Sequence, residues 1–475
     1  KKTVLAKSGL WITAGTFSKR IFALLSNFVL ARLLSPSDFG VISIAYVFWS
    51  FIVLFTQGST GFFILYKGIE DRRYLDTVHA ISFIVGIVFG GTLALVSPVI
   101  SSFFNEPSLT NLLRIYSFNL LLSSIFHVYE AIMLRQQKYR AVTFIILVAS
   151  LARLITTTTS ALLGLKYWSF AFGDIAFWLI GLSLVIWQSK HLLSFKISKE
   201  VFSEVFQYCF GAVGTSLGFY ANLNLDNFVV SKVLGNISLG YYNLAYQLTM
   251  SITKIFNPVV ARLGTPTFAQ LPGDKALKSS LIEVMEQMAF LHSPVYALLL
   301  VSLDKTVITF LFGQQWTDIV DIIPWLIVSA YCRSMNIPLK AMLSAKGLTN
   351  ISAKVNLQIA PIAVLSFYVG ARQAGIIGVS IAVSLILGIG WTIYWWWSAC
   401  RLLKWPINSF FSPYKIPLLI TIFSILITFK MPIFLKQLAF ILAYIVCMKI
   451  FASIKLSEYS SFLKSISKKM ISKIL

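Results

Sequence analysis

Long apolar runs separated by short polar breaks fill the chain from end to end. About 20 consecutive apolar residues cross a bilayer as a helix. On that scale the pattern predicts fourteen helices, over 9–34, 40–66, 77–104, 109–134, 139–165, 167–188, 202–233, 240–266, 281–303, 319–343, 354–371, 375–400, 411–429 and 437–455. The stretch around 304–318, within LDKTVITFLFGQQWTD, carries the weakest signal; it reads as a short interfacial helix or as an extension of its neighbours.

Composition agrees. Of the 475 residues 57% are hydrophobic and 12% charged, against about 45–50% and about 25% in soluble domains. A soluble enzyme is excluded, and the expected class is an all-α polytopic membrane protein. Lys and Arg number 40 against 17 Asp and Glu, for a formal charge of +23. In a soluble protein that balance would suggest nucleic acid; here the basic residues sort by loop, so no nucleic-acid partner is expected. Alternate loops and the two ends hold 23 Lys and Arg on one side, while the other side holds 5: Lys166, Lys305, Arg372, Lys430 and Lys436. The positive-inside rule then places both termini in the cytoplasm. Outer loops are short and leave no room for an extracytoplasmic catalytic domain. The N-terminal segment, interrupted by Lys19 and Arg20, reads as a retained span rather than a cleaved signal peptide. The four cysteines, Cys209, Cys332, Cys400 and Cys447, lie in apolar segments and imply no disulfide framework.

The chain also repeats itself. Residues 8–46 laid on 208–246 without gaps match at Leu25/Leu225, Asn27/Asn227, Phe28/Phe228, Val29/Val229, Leu34/Leu234, Gly40/Gly240, Ala45/Ala245 and Tyr46/Tyr246, with Arg32 opposite Lys232. The offset of 200 contains six helices, an even number, so both halves enter the membrane in the same sense. The expected domains are a six-helix lobe over 1–200, a second over 201–405, and two accessory helices with a basic cytoplasmic tail over 406–475. Two parallel six-helix bundles would face a central cavity.

Signatures of chemistry are missing. There is no GxxxxGK[ST] phosphate loop and no metal-ligand spacing. His79, His127, His191 and His292 lie on separate segments, and His127 with Glu130 reads as an interfacial polar pair. No nucleophile is paired with a base, so no catalytic residue, metal site or cofactor is expected. Gly86–Gly91 reads as a helix-packing surface.

The informative residues are ionisable ones at mid-membrane, where a Lys or Arg costs about 2.5–3.5 kcal/mol on insertion scales. Arg32, Lys232, Arg114, Arg262, Lys340, Lys415 and Lys449 stand near helix ends and can snorkel. Lys19, Arg20, Arg153, Lys254 and Arg333 fall close to helix midpoints, with Asp226, Glu130 and Asp174 displaced from that layer. The expectation is a cationic cavity short of protein carboxylates, ready for an anion. Arg suits phosphate through its planar donors and Lys as a point charge. Lys19 and Arg20 point about 100° apart, so one of them faces the cavity fully. The alternative is pairing with offset acids or backbone carbonyls. A polar stripe at Asn222, Asn224 and Asp226 reads as sugar contacts, a coupling-ion site or interhelical hydrogen bonds.

Segment 30–67, LARLLSPSDFGVISIAYVFWSFIVLFTQGSTGFFILYK, resembles the opening of Wzx-type polysaccharide flippases of the MOP superfamily. LGYYNLAYQL (239–248), FGQQW (312–316) and LSAKG (343–347) are similar to the second half of such proteins. The resemblance implies a non-enzymatic carrier in the bacterial inner membrane. It would move an undecaprenyl-diphosphate-linked glycan from the cytoplasmic to the outer leaflet by alternating access, as in O-antigen, capsule or exopolysaccharide synthesis. Membrane lipids, a glycan polymerase and chain-length proteins would be its neighbours. Competing readings are a multidrug exporter of the same superfamily, whose organic cations call for central acids, and a peptidoglycan-precursor carrier. A membrane glycan polymerase or glycosyltransferase would require a long outer loop.

Overall fold

The structure is a computed structural model that describes residues 15, 18, 21–56, 60–189, 196–269, 271, 273–428 and 431–451. It is helical throughout. In chain order the elements are α1 (Ile21–Leu33), α2 (Pro36–Thr56), α3 (Thr60–Lys67), α4 (Arg72–Phe104), α5 (Ser108–Arg135), α6 (Tyr139–Leu162), α7 (Trp168–Ser189), α8 (Lys199–Ala269), α9 (Gly273–Ser302) and α10 (Lys305–Phe312). After a 3₁₀ turn at Gln314–Ile319 come α11 (Ile323–Met335), α12 (Ile337–Ala345), α13 (Thr349–Ala382), a π-helical stretch Val383–Gly390, α14 (Trp391–Leu403), α15 (Asn408–Thr428) and α16 (Ile433–Phe451). Among the described residues eight helices are long and apolar enough to cross a membrane.

Where residues are described, the predicted spans map closely onto these elements, while 9–14, most of 16–20 and 452–455 lie outside the described residues; the reason for the match is the solvent. Inside lipid each backbone N–H and C=O needs an internal partner, so an apolar run has no choice but helix. Helices break where chemistry allows it. Asp71 caps α4 by accepting from Arg73 N, and Asn105 ends that helix in the left-handed region (φ 53°). Two predicted pairs of spans run on almost without a gap. α8 is broken at Gly235 (φ 85°, ψ 179°), and α13 at Ala374 and Gly375. Gly235 holds a conformation closed to side chains with a Cβ. The ambiguous 304–318 stretch forms α10 and the 3₁₀ turn.

The chain divides into two compact units, Lys1–Asn243 with Leu311–Gln315, and Leu244–Phe310 with Trp316–Leu475. The first unit is built on a buried cluster from α3 to α8, including Val78, Val128, Tyr129, Ile132, Met133 and Val205. Small residues let these helices approach: a side chain on Gly86 would meet Ser124 and Leu121, and one on Gly90 the carbonyl of Ser117. In the second unit α15 and α16 pack on α9 through Phe290, Ile420, Phe440 and Tyr444. The Tyr444 hydroxyl donates to Phe290 O at 3.0 Å, and that of Tyr414 to Met335 O at 3.0 Å.

Within the first unit, residues paired by the repeat occupy paired places. Phe28 stacks on Phe312 with centroids 4.9 Å apart, while Phe228 meets Phe104 edge-on at 5.5 Å. Arg32 Nε donates to Leu311 O at 2.8 Å near the end of α10; Lys232 Nζ donates to Phe103 O at 2.6 Å near the end of α4. Both put a cation on terminal carbonyls that lack helical partners and carry the negative end of the helix dipole. A Cβ on Gly40 would overlap the carbonyl oxygen of Asn236, and one on Gly240 that of Pro36. Asn236 Nδ2 also donates to Ser37 Oγ (3.1 Å) and Glu106 Oε2 (2.5 Å).

Candidate functional site

In the second unit, cations gather around Tyr246 on α8. Arg333 on α11 donates from Nη1 to the Tyr246 hydroxyl at 2.8 Å, and its guanidinium carbon lies 5.9 Å from the ring centroid. Lys254, two turns further along α8, places its ammonium 5.8 Å from the same ring. Aromatic faces stabilise such cations by about 0.5–1 kcal/mol when exposed and about 2 when desolvated. The ammonium of Lys340 on α12 sits 4.3 Å over Trp391 and 5.5 Å from Trp395. The sequence reading placed Lys340 among the snorkelling helix-end residues and so missed it. Its aromatic floor lies some fifty residues further along the chain, and nothing local announces the contact.

Arg153 is different, and here the expectation of an unmatched central charge is corrected. Its Nε lies 2.5 Å from Asp174 Oδ1, and its Nη2 donates to the Tyr46 hydroxyl at 3.0 Å. Tyr46 and Tyr116 in turn donate to Asp174 Oδ2 at 2.6 and 2.7 Å. Depth along the helices had placed Asp174 toward the outside. It stands six residues into α7, and Arg153 nine residues before the end of α6. On neighbouring antiparallel helices that is a difference of about 5 Å, within reach of an arginine side chain. The pair borders a cavity of about 280 Å³ in the first unit.

Of the other expected residues, Lys19 and Arg20 lie outside the described residues, as does the side chain of Asn222. Asn224 donates to Tyr220 O at 3.2 Å within its own helix. Asp226 is buried and accepts from the Tyr242 hydroxyl at 2.7 Å and from Asn227 N at 2.8 Å. His127 Nδ1 and Glu130 Oε2 pair at 2.9 Å. Among the described residues no group of three or more His, Cys, Asp and Glu is placed to hold a metal.

In the first unit a further, exposed charged set joins α3 and α4 to the start of α8. Lys67 and the Tyr74 hydroxyl donate to Glu204 at 2.6 and 2.5 Å, and Arg73 bridges Asp71 (2.9 Å) and Glu200 (2.6 Å). The bonds from Lys67 and Tyr74 hold the Glu204 carboxyl below its usual range, and Arg73 does the same for Asp71.

The helical order and the eight long apolar helices among the described residues define an all-helical multi-pass membrane protein. Its fold is similar to that of a lipid II flippase MurJ in an inward closed conformation, with TM-score 0.77 and 17% identity over 94% of this chain and 100% of that one. An inward-facing multidrug resistance MATE transporter of the MOP superfamily matches with TM-score 0.58 and 14% identity over 85% of this chain and 95% of its own. Residues 29–321 match the family described as polysaccharide biosynthesis protein, and the chain belongs to that family. Relatives include the lipopolysaccharide biosynthesis protein WzxC of Escherichia coli (strain K12), 23% identical over 75% of this chain and 73% of that protein. Another is the teichuronic acid biosynthesis protein TuaB of Bacillus subtilis (strain 168), 24% identical over 74% and 73%. The resemblance carried by residues 30–67 therefore holds.

Proposed function

We propose that this chain is a flippase, not an enzyme, which carries a lipid-linked oligosaccharide on undecaprenyl diphosphate from the cytoplasmic to the outer leaflet of the bacterial inner membrane. The observation that carries the reading is Lys254 and Arg333 gathered around Tyr246, with Lys340 over Trp391, all in stretches that the sequence predicts as spans (240–266 and 319–343). A diphosphate must cross about 30 Å of hydrocarbon, and Lys254, Arg333 and Lys340 offer it charge and planar donors along that path. Family membership supports a glycan as cargo, and the MurJ-like fold supports a lipid carrier. Lys19 and Arg20 are proposed as further anion-binding residues of a first lobe (1–200), with a second lobe at 201–405 and accessory helices at 406–475. Both termini would lie in the cytoplasm, and the delivered unit would pass to a polymerase and its chain-length partners. A multidrug exporter is the weaker reading, because organic cations would meet like charge at Lys254 and Arg333.

The test is export of surface glycan in a strain whose own copy is deleted. Lys254→Ala and Arg333→Ala variants, each present in the membrane at wild-type level, should abolish export and leave lipid-linked intermediates on the cytoplasmic side. Normal export by both variants would overturn the proposal.

A further inference from the structure

The cavity of about 280 Å³ in the first unit lies among α1, α2, α6 and α7. Its walls are aromatic: Trp49 faces Trp178 with centroids 6.2 Å apart at 41°, and Tyr46 stands edge-on to Trp49 at 6.2 Å and 68°. Its polar edge is the Arg153–Asp174 pair. Two further buried groups on the lining, the indole N–H of Trp49 and the hydroxyl of Ser150, have no hydrogen-bond partner among the described residues. Ser150 is only 5% exposed. Buried donors are satisfied in folded proteins as a rule, so two of them lining one cavity point to something that enters it.

Charge and size narrow the occupant. Among the described residues of the lining, Asp174 offsets Arg153. A diphosphate would confront the Asp174 carboxylate and would have to break a 2.5 Å ion pair. The favoured ligand is therefore uncharged. It needs hydroxyls for Trp49, Ser150, Arg153 and Asp174, and C–H faces for Trp49 and Trp178. A pyranose has both. Small-molecule pockets run from roughly 300 to 1,000 Å³, so this one takes a single ring, not a whole oligosaccharide.

We propose that this cavity is a sugar subsite that binds one neutral pyranose of the transported glycan through Trp49, Trp178, Ser150 and the Arg153–Asp174 pair. The proposal rests on the flippase reading and deepens it by separating two duties. The cations around Tyr246 hold the diphosphate, whereas Arg153, a candidate for that task from sequence, reads sugar hydroxyls with Asp174. The cavity would then contribute to glycan selectivity.

The experiment uses the full chain in lipid nanodiscs and saturation-transfer NMR. The probes are the methyl pyranosides of glucose, galactose, mannose and N-acetylglucosamine, with inorganic pyrophosphate followed separately by phosphorus line broadening. At least one glycoside should receive saturation at its ring protons. Trp49→Phe and Ser150→Ala, chosen to preserve packing and checked for an unchanged melting temperature, should each weaken that binding at least tenfold. Both should leave pyrophosphate binding as in the wild type, and Lys254→Ala with Arg333→Ala should do the reverse. The subsite is overturned if none of the four glycosides binds, if both pocket variants bind them normally, or if pyrophosphate displaces them. Any of these results, with export lost in Lys254→Ala and Arg333→Ala, defeats the subsite and leaves the flippase standing. Glycoside binding that survives when export ignores Lys254 and Arg333 does the opposite.

Discussion

Tyr46 and Tyr246 stand 200 residues apart at matched positions of the repeat, and the hydroxyl of each accepts a hydrogen bond from an arginine of its own unit. Arg153 reaches Tyr46 at 3.0 Å and Arg333 reaches Tyr246 at 2.8 Å. The surroundings have diverged. Around Tyr46 an acid and a second tyrosine complete a network with Arg153. Around Tyr246 a lysine joins the arginine over one ring.

That divergence predicts different responses to mutation. In the first unit, Asp174→Ala strands a guanidinium whose side chain is 21% exposed. Removing one partner of a buried pair costs about 3–5 kcal/mol, and the lower figure fits this partly open site. The melting temperature in nanodiscs should fall clearly for Asp174→Ala, and less for an Asp174→Leu, Arg153→Met double variant that removes both charges. A double variant worse than the single one would show that the pair does not act as a unit.

Around Tyr246 the expected effect is on transport. Tyr246→Phe removes the acceptor that orients Arg333 while keeping the ring. Export should drop severalfold with the amount of protein in the membrane unchanged. Arg333→Lys keeps charge but loses the planar fork, so it should fall between wild type and Arg333→Ala. Equal export by Arg333→Lys and wild type would mean that charge alone is read there.

The Lys67–Glu204–Tyr74 contact predicts a pH dependence. Its carboxyl titrates below the ordinary value of 4.5 because Lys67 and then Tyr74 donate to it. A lowered carboxyl contributes stability that is complete above the unfolded value and fades as pH falls through the folded one. The link from α3 and α4 to the first turns of α8 should therefore be intact at neutral pH and loosen only below about pH 4.5. Protection of amides 199–204, taken relative to the intrinsic exchange rate at each pH, should fall in acid for the wild type and show no such step in Glu204→Gln. Because the pair is exposed, the change will be small and sensitive to salt.

Close backbone approach makes a fourth prediction. Gly40→Ala or Gly240→Ala would drive a methyl group into a carbonyl of the facing helix. Backbone cannot step aside as a side chain can, so the loss should reach or exceed the roughly 1–3 kcal/mol of ordinary overpacking. Gly91→Ala, where a Cβ meets nothing within 4 Å, is the control and should leave thermal stability unchanged.

Much of the fold was legible because lipid turns a hydrophobic run into a helix with few alternatives; the structure then shows breaks at Gly235 and Gly375, between the predicted spans 202–233 and 240–266 and at the start of 375–400. The partners of the charges were not legible. Arg153 and Asp174 are 21 residues apart on different helices, and their meeting depends on how two helices rotate and slide against each other. Lys340 finds its tryptophans through tertiary packing alone. Sequence depth identified which charges were costly, but not which had been answered.

The contact at Gly40 and Gly240 has a further meaning. Residue 40 touches residue 236 and residue 240 touches residue 36, a reciprocity that two identical subunits display across a twofold axis. A half-length ancestor carrying this surface would have had a self-complementary face, with no second protein needed to fill it.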